Sequence, residues 1–329
     1  MQITLEGHDT AIPVEAGDTI LSSLLRAGVA FPFSCQAGNC GTCKCELVSG
    51  DVLELEYSEH ALAAEERAKG VILACRTQVW DDTVVRRIDA EELVLHPSRV
   101  MRCRVLEIES LTHDIKGLRL AVEAGGPLTF SAGQYAQVEF APGLSRHYSM
   151  ANTPEEPELV FHVRHLPDGR TSRYAATQLK VGDKVKVSGP LGVSYLRENH
   201  RGPVLLVAGG SGLAPIQSIL CTLLGRGYGP PVTLYFGVRS ERDVYHEALL
   251  RDLAAKHPNF RYHVVLSEQK GERGRRYGLV HETIEISDAQ DVMAYLAGPP
   301  VMVEAATALL AARGLAPRQI HADAFYNQS

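Results

Sequence analysis

The stretch Cys35-Gln36-Ala37-Gly38-Asn39-Cys40-Gly41-Thr42-Cys43-Lys44-Cys45 decides how this chain is read. Three of its cysteines stand at x4 and x2 spacing, and Cys75 follows 32 residues after Cys43. Cys35, Cys40, Cys43 and a distant Cys75 match the spacing of four thiolates around a [2Fe–2S] cluster. Two ferric ions, two sulfides and four thiolates leave a net negative charge in a small volume. Backbone N–H groups must wrap that charge, so the residues between the ligands have to be small. Gly38 and Gly41 supply positive φ and close approach there. A zinc site fits poorly, because zinc usually takes two CxxC-like pairs. Cys45 falls where a strand begins, over residues 44–48, and is expected to be a small buried residue. Cys103 is expected in a strand core and Cys221 on the buried side of a helix.

Around this loop, residues 1–6 and 12–14 read as a hairpin. Residues 19–27 read as an amphipathic helix, with Ile20, Leu21, Leu24 and Leu25 inward and Gly28 as the stop. The first 95 residues resemble a plant-type ferredoxin domain of the β-grasp fold. They hold 16 acids against 7 bases, whereas residues 96–329 hold 23 against 26. An acidic unit on a slightly basic body is either a solvated surface or a face that docks onto basic partners.

After an acid-, Pro- and Ser-containing linker, short alternating strands recur over residues 101–109, 115–122, 135–140, 147–150, 159–164 and 184–188. Gly- and Pro-rich turns separate them, the pattern of a small antiparallel barrel. Arg146-His147-Tyr148-Ser149 and Asp168-Gly169-Arg170-Thr171-Ser172 stand out within it. The second is a turn before a short helix expected over residues 174–179, where exposed N–H groups favour an anion. His162 and His165 fall on opposite strand faces and read as structural, as does His147.

From residue 202 strand and helix signals alternate. The apolar run 204–208 has the character of a strand buried on both faces. Gly209-Gly210-Ser211-Gly212 follows it, then a helix with Ile216, Ile219, Leu220, Leu223 and Leu224 inward. Strands over 232–238, 262–266, 292–297 and 319–322 and helices over 244–256 and 301–313 complete a parallel α/β sheet. Its ligand belongs at the carboxyl ends of the strands. Gly298-Pro299-Pro300 is a second strand-to-helix turn of the same kind. Arg239 and the acids Glu241 and Asp243 follow strand 232–238, where an acid favours NADH and an Arg favours NADPH. NADH is expected, with NADPH as the alternative.

Composition excludes other classes. Hydrophobic residues make 45% and charged residues 22%, the balance of a globular protein rather than a disordered one. A formal charge of −6 gives no reason to expect nucleic acid as a partner. No apolar run approaches the roughly 20 residues that span a bilayer. The opening MQITLEGHDT lacks the pattern of a secretory signal. With an odd count of seven cysteines, this points to the cytoplasm.

The ordered motifs resemble the ferredoxin–NADP reductase superfamily fused to a ferredoxin. With RHYSMA, GPLG, YFGVRSERDVY and HADAFY, they resemble most the reductase components of bacterial ring-hydroxylating oxygenases of the naphthalene dioxygenase type. The resemblance implies three domains: a [2Fe–2S] domain over 1–93, an FAD-binding β-barrel over 98–199 and an NAD(P)-binding α/β domain over 202–329. It implies that Arg146 pairs with the FAD pyrophosphate, Tyr148 stacks on the isoalloxazine and Ser149 lies near flavin N5. Val163 and Arg164 would touch the flavin through backbone groups, and Gly169, Arg170, Thr171 and Ser172 would hold the pyrophosphate. Gly209, Gly210, Ser211, Gly212, Arg239, Gly298 and Pro299 would bind the nicotinamide nucleotide. Phe325 would cover the flavin, with Tyr326 second, and Asp323 would sit near N5. Ala297 departs from the family, which usually has Cys there.

The implied reaction is electron transfer from NADH through FAD and the cluster to an acceptor protein, either a Rieske-type ferredoxin or the terminal oxygenase. A monomer is expected. The same module serving a multicomponent monooxygenase or a deoxysugar dehydrase is the nearest alternative. A redox sensor or electron store, and a zinc-stabilised nucleotide-binding module, are alternatives of another class.

Overall fold

A computed structural model describes the chain except residues 9, 30, 34, 35, 40, 60, 89–93, 95, 271–273, 287–290 and 327–329. It resolves into two compact units, Met1–Leu95 and His96–Ser329.

The first unit contains β1 (Gln2–Leu5), β2 (Ile12–Pro13), α1 (Ile20–Arg26), β3 (Lys44–Ser49), β4 (Val52–Glu54), α2 (Ala64–Arg67), β5 (Val71–Leu73), β6 (Thr77–Val79) and β7 (Thr83–Arg87). Its main sheet has the order β2-β1-β7-β3-β5. The expected opening hairpin is present, with Gln2 opposite Pro13, and β1 runs parallel to β7. Thr19 caps α1: its hydroxyl accepts from the Ser22 amide while Ser22 Oγ accepts from the Thr19 amide. Ile20, Leu21 and Leu24 pack into the core, and Gly28 ends the helix at φ 74°. Both termini of this helix follow from the local sequence.

The second unit begins with β8 (Arg99–Ser110), β9 (Ile115–Ala124), β10 (Tyr135–Ala141), β11 (Leu144–Ser149), β12 (Leu159–Arg164), α3 (Arg170–Thr177) and β13 (Lys184–Leu191). The antiparallel sheet β11-β10-β13-β8-β9-β12 curls until its edges meet at a single bridge, Met150 to Phe161. That is the expected barrel, nearly closed. Alternation fills it: Leu159, Phe161 and Val163 of β12 point inward with Cys103, as expected for that cysteine. The helix α3 starts at Arg170 rather than near residue 174. Its first turn is polar, but Thr171 and Ser172 are buried against the barrel, and tertiary packing extends the helix back to Gly169.

The α/β half follows with β14 (Val204–Gly209), α4 (Leu213–Gly225), β15 (Val232–Val238), α5 (Glu247–Lys256), β16 (Phe260–Leu266), β17 (Arg276–Tyr277), β18 (Met293–Gly298), α6 (Pro300–Ala312) and β19 (Ile320–Ala324). All pairings in the sheet β17-β16-β15-β14-β18-β19 are parallel. The helix expected from residue 244 starts at Glu247. Ser240 caps a separate turn over Glu241–Asp243, and His246 sits at φ 54°, which breaks the path. Cys221 is only half-buried and borders a cavity, not the closed helix face expected for it. No described helix is long and apolar enough to cross a membrane.

Candidate functional site

Of the four cysteines expected to ligate a cluster, Cys43 and Cys75 are among the described residues of the first unit; Cys35 and Cys40 lie outside them. Cys43 immediately precedes β3, and Cys75 lies in a tight turn after β5. The two chains are held together there, because the Ala74 amide donates to the Cys43 carbonyl at 3.0 Å. Both cysteines are buried, at 2% and 5% exposure. The loop before Cys43 needs its glycines. Gly38 has φ 75°, and a Cβ there would sit 2.8 Å from Arg76 Cγ and from Tyr57 Cβ. At Gly41, φ 71°, a Cβ would press to 2.6 Å of the Ala61 carbonyl oxygen. Two buried thiols beside a loop with room only for glycine at these two positions fit an anionic iron–sulfur cluster. Cys45 shares the core, and burial pushes its thiol up to about 12, in keeping with a packing residue.

In the second unit, the strand β11 delivers Ser149 to the mouth of the barrel. From the far end of the chain, β19 delivers Asp323. Ser149 Oγ donates to Asp323 Oδ2 at 3.4 Å across 174 residues of sequence. Both are buried, at 6% and 8% exposure. Burial raises the Asp323 carboxyl to about 6, and the Ser149 hydrogen bond opposes that rise. Tyr148 lies against Phe140 with ring centroids 5.7 Å apart, and burial raises its phenol. Arg146 is exposed on the same strand.

At the start of α3 the Ser172 hydroxyl accepts from the Leu166 amide and donates to the Gly169 carbonyl. It therefore shapes the turn, and a Cβ at Gly169 would collide with it. The first helical bond is Arg173 to Gly169, so the amides of Arg170, Thr171 and Ser172 face outward from the helix start as anion donors. Val163 points its side chain into the barrel core, and Arg164 Nε is bound to Asp114 Oδ2 at 3.0 Å. What β12 offers a flavin is therefore backbone.

The two glycine turns meet at the carboxyl edge of the parallel sheet. Ala208 of β14 lies opposite Ala297 of β18, and Ala297 lies opposite Asp323 of β19. A Cβ on Gly212 would collide with the Ala297 carbonyl, and one on Gly298 would sit 2.9 Å from the Gly209 carbonyl oxygen. Ser211 lies in the short turn over Gly210–Gly212, and Pro299 caps α6. The buried Ala297 is thus a neighbour of both turns and of Asp323. The Phe325 amide donates to the Gly298 carbonyl at 2.9 Å, which places Phe325 beside this edge.

Further along the same edge, Arg239 Nη2 is bound to Asp243 at 2.9 Å and to Asp114 at 3.4 Å. Glu241 is bound to Arg275, which also holds Glu247. Sequence reasoning missed Asp114, Arg275, Tyr245 and the contact of His162. Tyr245 closes the YFGVRSERDVY string but carried no role there, and the others lie in no quoted string; each matters only through a partner far away in sequence.

Comparison with known proteins places these sites in context. A 2Fe-2S iron-sulfur cluster binding domain matches residues 3–79, an oxidoreductase FAD-binding domain residues 102–195 and an oxidoreductase NAD-binding domain residues 206–308. The chain is 41% identical over 99% of both chains to a reductase component from Ralstonia sp. That protein is the ferredoxin–NAD(P)(+) reductase component of naphthalene 1,2-dioxygenase/salicylate 5-hydroxylase systems. It is 40% identical, again over 99% of both, to the corresponding component of the naphthalene 1,2-dioxygenase system of Pseudomonas putida. Among solved structures it is similar to an Amycolatopsis cytochrome P450 reductase, with TM-score 0.83, 37% identity and 98% of each chain covered.

Proposed function

We propose, for a chain that belongs to the family of ferredoxin–NAD(P)+ reductase components of oxygenase systems, that its electrons go to a protein of an aromatic ring-hydroxylating dioxygenase. The chain is an NAD(P)H-dependent oxidoreductase with [2Fe–2S], FAD and NAD domains. The acceptor we propose is a Rieske-type ferredoxin or the terminal oxygenase itself. The observation that carries this is full-length identity of 41% to a component of such a system. Bound in their domains, FAD and the cluster supply the conversion of a two-electron donor into single electrons. The protein's own residues bind, orient and exclude water.

Cys35, Cys40, Cys43 and Cys75 are the proposed ligands. The outward amides of residues 170–172 and the guanidinium of Arg146 would neutralise the FAD pyrophosphate, with Tyr148 stacked on the ring. Ser149 Oγ and the Asp323 carboxyl form a buried pair able to hold a proton where a flavin edge would meet a nicotinamide. The paired turns 209–212 and 298–299 would cradle the nicotinamide nucleotide, and Phe325 would cover the flavin. We read NADH as the donor, since Arg239 is committed to two carboxylates and a 2′-phosphate would have to break those pairs. The working division is 1–93, 98–199 and 202–329, and the protein is read as a cytoplasmic monomer.

The P450 reductase similarity favours one second reading, in which the acceptor is a monooxygenase. Anaerobic NADH titration followed by visible absorption and low-temperature EPR tests the internal path: flavin and cluster bands bleach and a rhombic S = 1/2 signal grows. Offering the reduced protein a Rieske-type ferredoxin, then a monooxygenase component, tests the acceptor. Reduction of the monooxygenase alone would overturn the dioxygenase reading.

A further inference from the structure

A buried hydrogen-bond relay ties the flavin barrel to the first glycine turn. Tyr245 is almost fully buried between the halves of the second unit, its ring edge-on to Phe236 at 5.7 Å and to His162 at 5.3 Å. Its hydroxyl lies 3.3 Å from the Gly210 carbonyl and 3.0 Å from His162 Nδ1. A carbonyl only accepts, so the single phenolic proton goes to Gly210. The hydroxyl must then accept from His162, which fixes the proton on Nδ1 and leaves Nε2 as an acceptor. Burial holds His162 neutral, and His162 Nε2 has no hydrogen-bond partner among the described residues. Other atoms of the His162 side chain line a cleft of about 150 Å³ shared with His246 and Gln217.

The relay ends on a glycine in the left-handed region. Gly210 sits at φ 54° at the head of the turn, and a Cβ there would lie 3.5 Å from an Arg164 Nη1 atom. His162 and Arg164 both lie on the outward face of β12, one tied to Gly210 through Tyr245 and one with its guanidinium near the space a Gly210 Cβ would take. We propose that Tyr245, held by His162, is a positioning residue for the nicotinamide nucleotide, setting the Gly210 carbonyl and so the turn that receives the pyrophosphate. This rests on the reading of residues 209–212 as a nucleotide turn. The O–H···O distance is long, so the bond is a modest one that sets orientation more than stability.

Tyr245→Phe keeps the ring and removes the proton. In the oxidised holoenzyme, with unchanged FAD content, NAD+ affinity by titration calorimetry should fall about three- to tenfold, the size of one net hydrogen bond. His162→Phe should lose a similar factor, and His162→Gln, which can still donate, should lose less. Because the two side chains act in series, the double variant Tyr245→Phe/His162→Phe should lose little more than either single one. Affinity within twofold of wild type for Tyr245→Phe, or losses that add in the double variant, would overturn the relay. A glycine-selective ¹⁵N spectrum separates the two levels. A Gly210 signal that moves on NAD+ addition to wild type supports the turn assignment whatever the variants do. A signal that does not move overturns the turn assignment and the relay together.

Discussion

Replacing Asp323 with Asn should make the protein more stable at neutral pH while altering its reaction with NADH. The carboxyl stands at about 6 rather than 3.8 because it is buried with a single hydroxyl as partner. At 1.36 kcal/mol per pH unit, that difference is about 3 kcal/mol, an upper figure for a single buried group. The sign follows from linkage. The folded state holds the proton more tightly than the unfolded chain, so below about pH 4 both are protonated and Asp323 costs nothing. Between about pH 4 and 6 the folded state resists ionisation, and above 6 the cost is fully present. Asn carries no such cost, so its advantage over wild type should be absent at pH 4 and grow to a plateau by pH 7. For a unit of this size, about 3 kcal/mol corresponds to a melting shift of roughly 6–12 °C at most. Calorimetric melting of holoenzyme at fixed FAD, in steps from pH 4 to pH 8, reads this directly. In parallel, the rate of flavin reduction by NADH should show a step near pH 6 in wild type and none in the variant. Parallel melting curves for the two proteins across that range would refute burial as the cause of the raised carboxyl.

The remaining predictions concern the turns, the cluster and the acidic unit. Gly212→Ala drives a methyl into the Ala297 carbonyl, and should cost NAD+ affinity tenfold or more in calorimetry while the flavin spectrum stays intact. Cys75→Ser should abolish the cluster's visible bands and its iron and sulfide content, whereas Cys45→Ala should keep both and lower the first unit's melting point through lost packing. Because residues 1–95 hold 16 acids against 7 bases, transfer to the acceptor should slow severalfold between about 0.05 and 0.5 M salt in stopped-flow. Rates independent of salt would mean the acidic face is merely solvated.

The sequence was most legible where chemistry is local. The helix over 19–27 with its Gly28 stop and the strand Val232–Val238 need only near neighbours, and the structure has both close to where the pattern puts them. Legibility fell where distant packing decides. The polar first turn of α3 carries no helical apolar period, yet burial of Thr171 and Ser172 makes it helical. The apolar residues Val244 and Tyr245 extend the α5 pattern backward, yet the Ser240 cap and the left-handed His246 hold them out of the helix. Within the candidate site, Ser149 and Asp323 could be named one by one from motif strings, but their contact across 174 residues could not.

His162 shows why the bland reading of a motif-free residue can be incomplete. Alternation along β12 predicts that His162 faces away from Phe161 and Val163, and so away from the barrel core. That much is right, and it supports calling the histidine structural in an isolated barrel. But the barrel is not isolated: its outward face at β12 meets the α/β half, through Tyr245 at His162 and through Arg239, which shares the barrel's own Asp114 with Arg164. On the proposed reading one strand would serve two tasks, Val163 offering its backbone to the flavin and its neighbours on either side supporting the nucleotide turn. A rigid link of this kind is what hydride transfer needs, since donor and acceptor held by different folds must still meet at near-attack distance. The constraint belongs to the outward face of β12, where a period-two pattern reveals only which residues point away from the barrel core.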